Sequence, residues 1–225
     1  MNLAETAFLE RAGSDWNLRW FTPTVEVDLC GHATLASAHV LWEEGLAPHG
    51  EPIAFHTKSG RLSAEKRRGM IELDFPAEPA TPGPAPAELL AALSIPKALS
   101  TGRNRLDYLI EVEDEATVRA IQPDFKAIAA ACGAGRGVIV TAMSASPGHD
   151  FVSRYFAPAA GIDEDPVTGS THCALGPFWG EKLRKNELSG FQASARGGTV
   201  RVRLTGNRVL LGGHAVTVSK GELEL

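Results

Sequence analysis

Two apolar stretches without a charged residue stand out in an otherwise mixed chain. Gly31 to Trp42 and Gly169 to Gly180 contain no Asp, Glu, Lys or Arg. A helix uncharged on every face is expected to be buried on all sides, so each stretch predicts a central helix enclosed by other elements. Each also follows a similar lead-in. Arg19-Trp20-Phe21-Thr22-Pro23 precedes an acidic segment and Cys30-Gly31-His32-Ala33-Thr34. Arg154-Tyr155-Phe156-Ala157-Pro158 precedes Asp163-Glu164-Asp165-Pro166-Val167 and then Thr168-Gly169-Ser170-Thr171. An Arg-aromatic-Phe-x-Pro strand end, an acidic turn and a small-residue helix entry, used twice, predict a duplicated architecture with a site between the halves.

The rest of the pattern reads mainly as strands. The apolar-mixed segment from Asn2 to Leu9 leads to a turn at Gly13-Ser14-Asp15, and Leu18 to Phe21 is a strand stopped by Pro23. Val25 to Leu29 alternates with period two, as a half-buried strand should. Ile53–Thr57, Arg61–Glu65 and Met70–Phe75 follow as antiparallel strands separated by glycine turns. Six prolines between Pro76 and Pro96 mark a linker, interrupted by a short helix over Ala87–Leu93. Leu106–Val112, Val138–Ala142 and Phe151–Phe156 read as strands, and Asp114 caps a helix running to Ile121. Pro177 inside the second charge-free stretch predicts a kink. Alternating strands fill Thr199 to Leu225, with a hairpin at Thr205-Gly206-Asn207-Arg208. Strands without regular helix alternation exclude a doubly wound parallel sheet.

Composition narrows the function classes. A net charge of −5 and a pI near 5.8 argue against nucleic acid. No apolar run reaches the length of a membrane span and no signal peptide opens the chain, so a cytoplasmic protein is expected. Cys30, Cys132 and Cys173 form neither a disulfide framework nor a zinc set, and no helix carries His-Glu-x-x-His, so no metal is expected.

The helix starts carry the candidate chemistry. Gly31-His32-Ala33 and Gly169-Ser170-Thr171 leave backbone N–H groups free at positive helix ends, a ready site for a carboxylate. His32 lies in a first turn, where the dipole disfavours a proton on the ring. Asp165 lies just before the matched position, and an imidazole and a carboxylate facing one pocket can shuttle a proton. Each also has a purely structural reading, as a helix-start histidine and a capping aspartate. Cys30 sits at a helix N-terminus, which can lower a thiol pKa, but the second copy has Thr168 there, so a symmetric two-thiol racemase site is absent. His39 and His172 read as core histidines.

Asn2-Leu3-Ala4-Glu5-Thr6, Phe21-Thr22-Pro23, Cys30-Gly31-His32-Ala33-Thr34 and Asp165-Pro166-Val167-Thr168-Gly169-Ser170, in this order, closely resemble the motifs of the PhzF-like phenazine-biosynthesis family, within the diaminopimelate-epimerase-like superfamily. The resemblance spans essentially the whole chain. It implies an α+β fold of two pseudo-repeated domains, each a curved, mainly antiparallel sheet or barrel around a central helix. Residues 1–80 would form the first half, 81–96 a proline-rich linker and 97–225 the second, whose last strand is free to return to the first. It also implies cofactor-free isomerisation of a small organic acid. Glu5 would be the proton shuttle, assisted by His32 and Asp165, with Asn2, Cys30, Gly31, Thr168, Gly169 and Ser170 binding substrate. The choice of Glu5 over Glu10 rests on the resemblance alone.

Two departures stand out. Family members usually begin with about forty further residues, including a Gly-Asn-Pro region. Either the start is misplaced, the chain is a fragment, or another chain supplies the sheet edge, and an open edge invites pairing, so a homodimer is expected. The proline-racemase branch uses paired cysteines, whereas only Cys30 is present here. The alternatives are an epimerase or racemase using Cys30 with a non-thiol partner, and a non-catalytic protein that binds small acids.

Overall fold

The computed structural model describes residues 5–133 and 136–222; Asn2 lies outside them. In chain order the first half contributes β1 (Thr6–Ala12), β2 (Asp15–Phe21), β3 (Glu26–Val27), α1 (Gly31–Glu43), β4 (Ile53–Thr57), β5 (Gly60–Arg67), β6 (Met70–Pro76) and β7 (Thr81–Pro82). Then follow α2 (Ala87–Ala92), β8 (Ser100–Arg103), β9 (Asp107–Glu111), α3 (Glu115–Ala120), α4 (Phe125–Cys132), β10 (Gly137–Met143) and β11 (Phe151–Phe156). The chain continues through α5 (Gly169–Leu183), β12 (Glu187–Gln192), β13 (Gly198–Thr205) and β14 (Arg208–Gly213).

All these strands join one continuous sheet. Its order is β1-β2-β4-β5-β6-β14-β13-β12-β11-β10-β9-β8-β7, with β3 on β2. Most pairs are antiparallel; β2–β4, β9–β10 and β11–β12 are parallel. The duplication is visible in the pairing: β1–β2 antiparallel then β2–β4 parallel repeats as β10–β11 antiparallel then β11–β12 parallel. The final strand β14 pairs with β6 of the first half, Leu211 opposite Leu73.

The repeated arginines do the same work in both copies. Arg19 grips Glu26 through Nε (2.8 Å) and Nη2 (3.0 Å), and Arg154 grips Glu164 at 2.7 and 2.9 Å. Each guanidinium also lies over the Phe that ends its own strand, Phe21 or Phe156. Two-pronged pairing of this kind fixes orientation as well as distance, so each pair holds the acidic loop that leads into its helix.

Three sequence expectations change. The Val25–Leu29 strand shrinks to Glu26–Val27, because Ser59 Oγ takes the Asp28 carbonyl (2.7 Å) and turns the chain towards α1. Helix α1 is not enclosed on all sides: Ala36 and Val40 are exposed, and His39 meets Glu43 and Thr217 rather than the core. Helix α5 is buried over most of its length, with His172 fully inside. The proline-rich stretch, thirdly, is bound into the fold. Strand β7 pairs with β8, and Leu89 and Leu93 are completely buried.

Pro177 has a structural use. Lacking an N–H, it leaves the carbonyl of Cys173 without its helical partner, and the backbone N–H of Glu78 fills the vacancy at 3.0 Å. The proline thereby ties the middle of α5 to the segment joining the halves. On the sheet side, a Cβ at Gly176 would lie 2.8 Å from Val202 Cγ1, and one at Gly180 would lie 2.4 Å from Leu204 Cδ1. These bare positions let α5 sit close on β13.

The two charge-free helices meet at their first residues. A Cβ on Gly31 would fall 2.7 Å from Gly169 Cα, and one on Gly169 would fall 2.8 Å from Gly31 Cα. Neither glycine needs a positive φ, so the requirement for glycine is one of space. Gly169→Ala is expected to destabilise the protein by about 1–3 kcal/mol, because the obstructing atoms are backbone and cannot rotate away. Gly83→Ala, with open space around it, serves as the control. Thermal unfolding of both variants checks the expectation, and equal melting temperatures would contradict it.

Candidate active site

Because α1 and α5 abut at Gly31 and Gly169, their positive ends are brought together. Their N-cap residues are Cys30 and Thr168, both extended. Among the described residues neither N-cap side chain makes a capping hydrogen bond, and the two ends together carry about one positive charge.

His32 occupies the second position of α1. Its Nδ1 lies 3.0 Å from the Val167 carbonyl. A carbonyl only accepts, so Nδ1 carries a proton and Nε2 is the nitrogen whose proton can exchange. Nε2 approaches Glu5 Oε2 to 3.0 Å. Among the described residues that carboxylate oxygen is buried and forms no aligned hydrogen bond, and it is held against the imidazole. Burial opposes a proton on His32, but the neighbouring Cys30 sulfur, Glu5 and Asp165 outweigh it and hold the imidazole well above its ordinary pKa. The direction expected from the helix dipole is reversed, because the Cys30 sulfur and the Glu5 carboxylate at contact distance outweigh the half-charge of one helix end.

Asp165 is 3% exposed. Its Oδ2 accepts from the Thr168 hydroxyl, whereas Oδ1 is buried with no partner among the described residues. Burial pushes its pKa up against the pull of His32 and Thr168, and the charge of Glu5 pushes the same way. The turn carrying it is locked by a residue the sequence reading passed over. Gln192, fully buried, donates from Nε2 to the Asp165 carbonyl (2.7 Å) and Thr168 Oγ1 (3.1 Å), and its Oε1 accepts from Thr168 N–H (2.8 Å).

A cavity of about 400 Å³ opens over this cluster, lined by Glu5, Asp165, Thr168 and Ser170 together with Asp107 and Tyr155. Gly31, His32 and Gly169 do not themselves line it; the two glycines pack against each other and His32 contacts Glu5. Asp107 was also missed. Its Oδ1 accepts from Tyr155 Oη (2.9 Å) and Gly137 N–H (3.1 Å), and burial raises its pKa to about 6. The available signal was a difference between the copies: Tyr155 stands where the first copy has Trp20, and only the phenol can donate an O–H.

This arrangement can be compared with known proteins. The family described as "Phenazine biosynthesis-like protein" (PhzC-PhzF) matches residues 1–221. The chain belongs to this family. "Uncharacterized isomerase BH0283" from Halalkalibacterium halodurans is 53% identical over 226 residues, covering 100% of this chain and 84% of the relative. A crystal structure of a PhzF-family phenazine biosynthesis protein from Enterococcus faecalis superposes with a TM-score of 0.90 at 44% identity, over 100% of this chain and 84% of that one. A hydroxyproline epimerase from Agrobacterium vitis shares the fold at a TM-score of 0.56 and 14% identity, over 92% of this chain and 71% of that one. The PhzC-PhzF chain described here thus has the α+β, two-part epimerase-like architecture. No helix among its described residues is long and apolar enough to cross a membrane.

Cys30 departs from expectation. It is 4% exposed, and burial raises the pKa of its thiol despite the helix end and the nearby His32. Desolvation of a thiolate costs more than one helix dipole returns. Glu5, Cys30 and His32 do place potential ligand atoms within 4.8 Å of one another, a grouping that spacing along the chain could not reveal. A cation there would have to displace the protons on both the thiol and the imidazolium.

Two outcomes follow from these shifts. In the native protein Cys30 should be alkylated by iodoacetamide at about pH 8 far more slowly than in urea, as followed by peptide mass spectrometry; equal rates would reject a protonated, buried thiol. For Asp107 the folded pKa of about 6 lies above the unfolded 3.8, so the folded state holds the proton more tightly. The ionised form costs stability above about pH 6, and that cost is relieved as pH falls towards 3.8. Asp107→Asn should therefore gain on the wild type by up to about 3 kcal/mol between about pH 4 and pH 7.5. Urea unfolding at both pH values measures this, and a constant difference would refute it.

Proposed function

We propose that this protein is a PhzF-like isomerase, in which Glu5 moves a proton between carbons of a small carboxylate substrate without a cofactor. The observation that carries the reading is the 3.0 Å approach of Glu5 Oε2 to His32 Nε2 beside two uncapped helix starts. The substrate carboxylate binds at the helix ends, through backbone N–H groups around Gly31, Gly169 and Ser170, with Cys30 and Thr168 at the two caps. The expected contribution of Asn2 lies outside the described residues. Glu5 takes a proton from one carbon, and the C–H electron pair enters the conjugated system next to the carboxylate. The imidazolium of His32 stabilises the negative charge that develops. Asp165, whose pKa burial raises, lines the same cavity and assists by a hydrogen bond to the substrate, with no net proton transfer. The proton on Glu5 then returns to a second carbon, so the enzyme ends as it began.

The same reading includes a division into residues 1–80 and 97–225 joined by 81–96, supported by the repeat of the β1–β2 and β2–β4 pairing as β10–β11 and β11–β12. It also includes a cytoplasmic homodimer. Support for the dimer is the outer edge of β1, which has no strand partner among the described residues, whereas the matching edge of β10 takes β9 in parallel. Light scattering tests that part independently of the chemistry.

Glu5→Gln should abolish incorporation of solvent deuterium into a turned-over acid, read by NMR, a loss of at least about a thousandfold. Exchange at the wild-type rate in that variant would end the proposal. Cys30→Ala should retain most of the activity, and EDTA should leave it unchanged. Loss in Cys30→Ala would favour thiol-based racemisation, and loss with EDTA would favour a metal held by Glu5 and His32.

A further inference from the structure

A second cavity, of about 650 Å³, lies on the other face of the sheet where the two halves join. Its floor follows from strand register. Glu72 of β6, Gly212 of β14, Arg201 of β13 and Ser189 of β12 form one cross-strand row. Val202 and Leu204 point at α5, so by alternation Arg201 and Arg203 point the opposite way, into the cavity. Gly212 and Ser189 flank Arg201 with almost no side chain, and that shortage of bulk creates the hollow. The β5–β6 turn at Arg67-Arg68 walls one side, and Gly148, His149 and Asp150 wall the other.

The charges here do not cancel. Glu72 is occupied by Arg203 (2.5 Å) and Arg67 (3.7 Å). Asp150 is occupied by Lys185 Nζ (2.6 Å) and by the backbone N–H of Ser189 (2.8 Å). Glu187 faces Arg203 across the ladder at the rim. Among the described residues Arg68 and Arg201 have neither an ion pair nor a side-chain hydrogen bond, though both line the cavity. Ser189 is 3% exposed, and among the described residues its hydroxyl has no hydrogen-bond partner. Buried hydroxyls in folded proteins are nearly always paired, so this one, directly across the ladder from Arg201, is a donor left for a ligand; the Arg201 charge also reaches Asp150, but only through space.

The turn adds an independent indication. Arg67 and Met70 are paired, leaving Arg68-Gly69 as a two-residue hairpin loop with both φ values positive, 51° and 80°. Such a loop favours Asn or Gly at its first position. An arginine there is locally unfavourable, and strain of this type is retained where the side chain is needed.

We infer that this cavity is a binding site for a small multivalent oxyanion, phosphate or polycarboxylate, held by Arg68, Arg201 and the Ser189 hydroxyl. Guanidinium groups match the paired oxygens of either group. The site is separate from the Glu5 cavity and does not depend on the reaction proposed there.

The test is isothermal titration calorimetry of the full chain in low-salt buffer, with inorganic phosphate in one arm and citrate in the other, which also distinguishes the two chemistries. Saturable binding of at least one is expected. It should weaken at least about tenfold in R68A/R201A, recover in part in R68K/R201K, and persist in E5Q. R68N should raise the melting temperature of the unliganded protein while weakening binding, because Asn tolerates the positive φ. Three results would overturn the inference: no saturable binding of either probe, equal binding by R68A/R201A, or loss of binding in E5Q, which would assign the anion to the other cavity.

Discussion

Two helix ends of the same electrical sign are pressed together at Gly31 and Gly169, and the site around them follows from that contact. Left alone, the ends repel, since each carries about half a positive charge. Three things make the arrangement stable. Neither residue has a Cβ, so the backbones can touch. The helix bodies behind them are anchored in one apolar cluster through Leu41, Trp42, Leu175 and Trp179. Two carboxylates, Glu5 and Asp165, face the concentrated positive potential. The same potential that must be balanced in the free protein is what can receive a substrate carboxylate.

The two carboxyl groups of the proposed site are set apart by their surroundings. Glu5 stands against the His32 imidazole, whereas Asp165 is buried with one oxygen bonded to a neutral hydroxyl and the other without a partner among the described residues. Two carboxyl groups in different environments can divide donor and acceptor duties. Holding that difference requires stiffness. Gln192 fixes the Asp165–Thr168 turn with three hydrogen bonds, the Val167 carbonyl accepts from His32 Nδ1 and fixes the ring orientation, and the Glu78–Cys173 bond secures α5 at its proline. The last of these converts an apparent helix defect into a tie between the halves.

Much of this was legible beforehand. The charge-free runs, the repeated Arg-aromatic-Phe-x-Pro ends and the small helix entries carry local information: side-chain polarity, strand period and backbone requirements act over a few residues. They located both central helices and placed His32, Asp165 and Ser170 near one another by symmetry. Glu5 came only through resemblance to a known family, because nothing local separates one glutamate in a strand-like segment from another.

What the chain alone determined, then, is the pair of central helices, their strands and the acidic turns before them, since burial pattern and steric preference are written residue by residue. Tertiary structure alone decided which ionisable groups meet and in what state. Asp107, Tyr155 and Gln192 lie far from the motifs in sequence, and their roles exist only once β9, β11 and β12 are paired. The protonation of His32 and of the Cys30 thiol was likewise misjudged from helix position, because desolvation and contact charges depend on distances across the fold. Those distances, shorter than any separation implied by chain order, outweigh the dipole of a single helix.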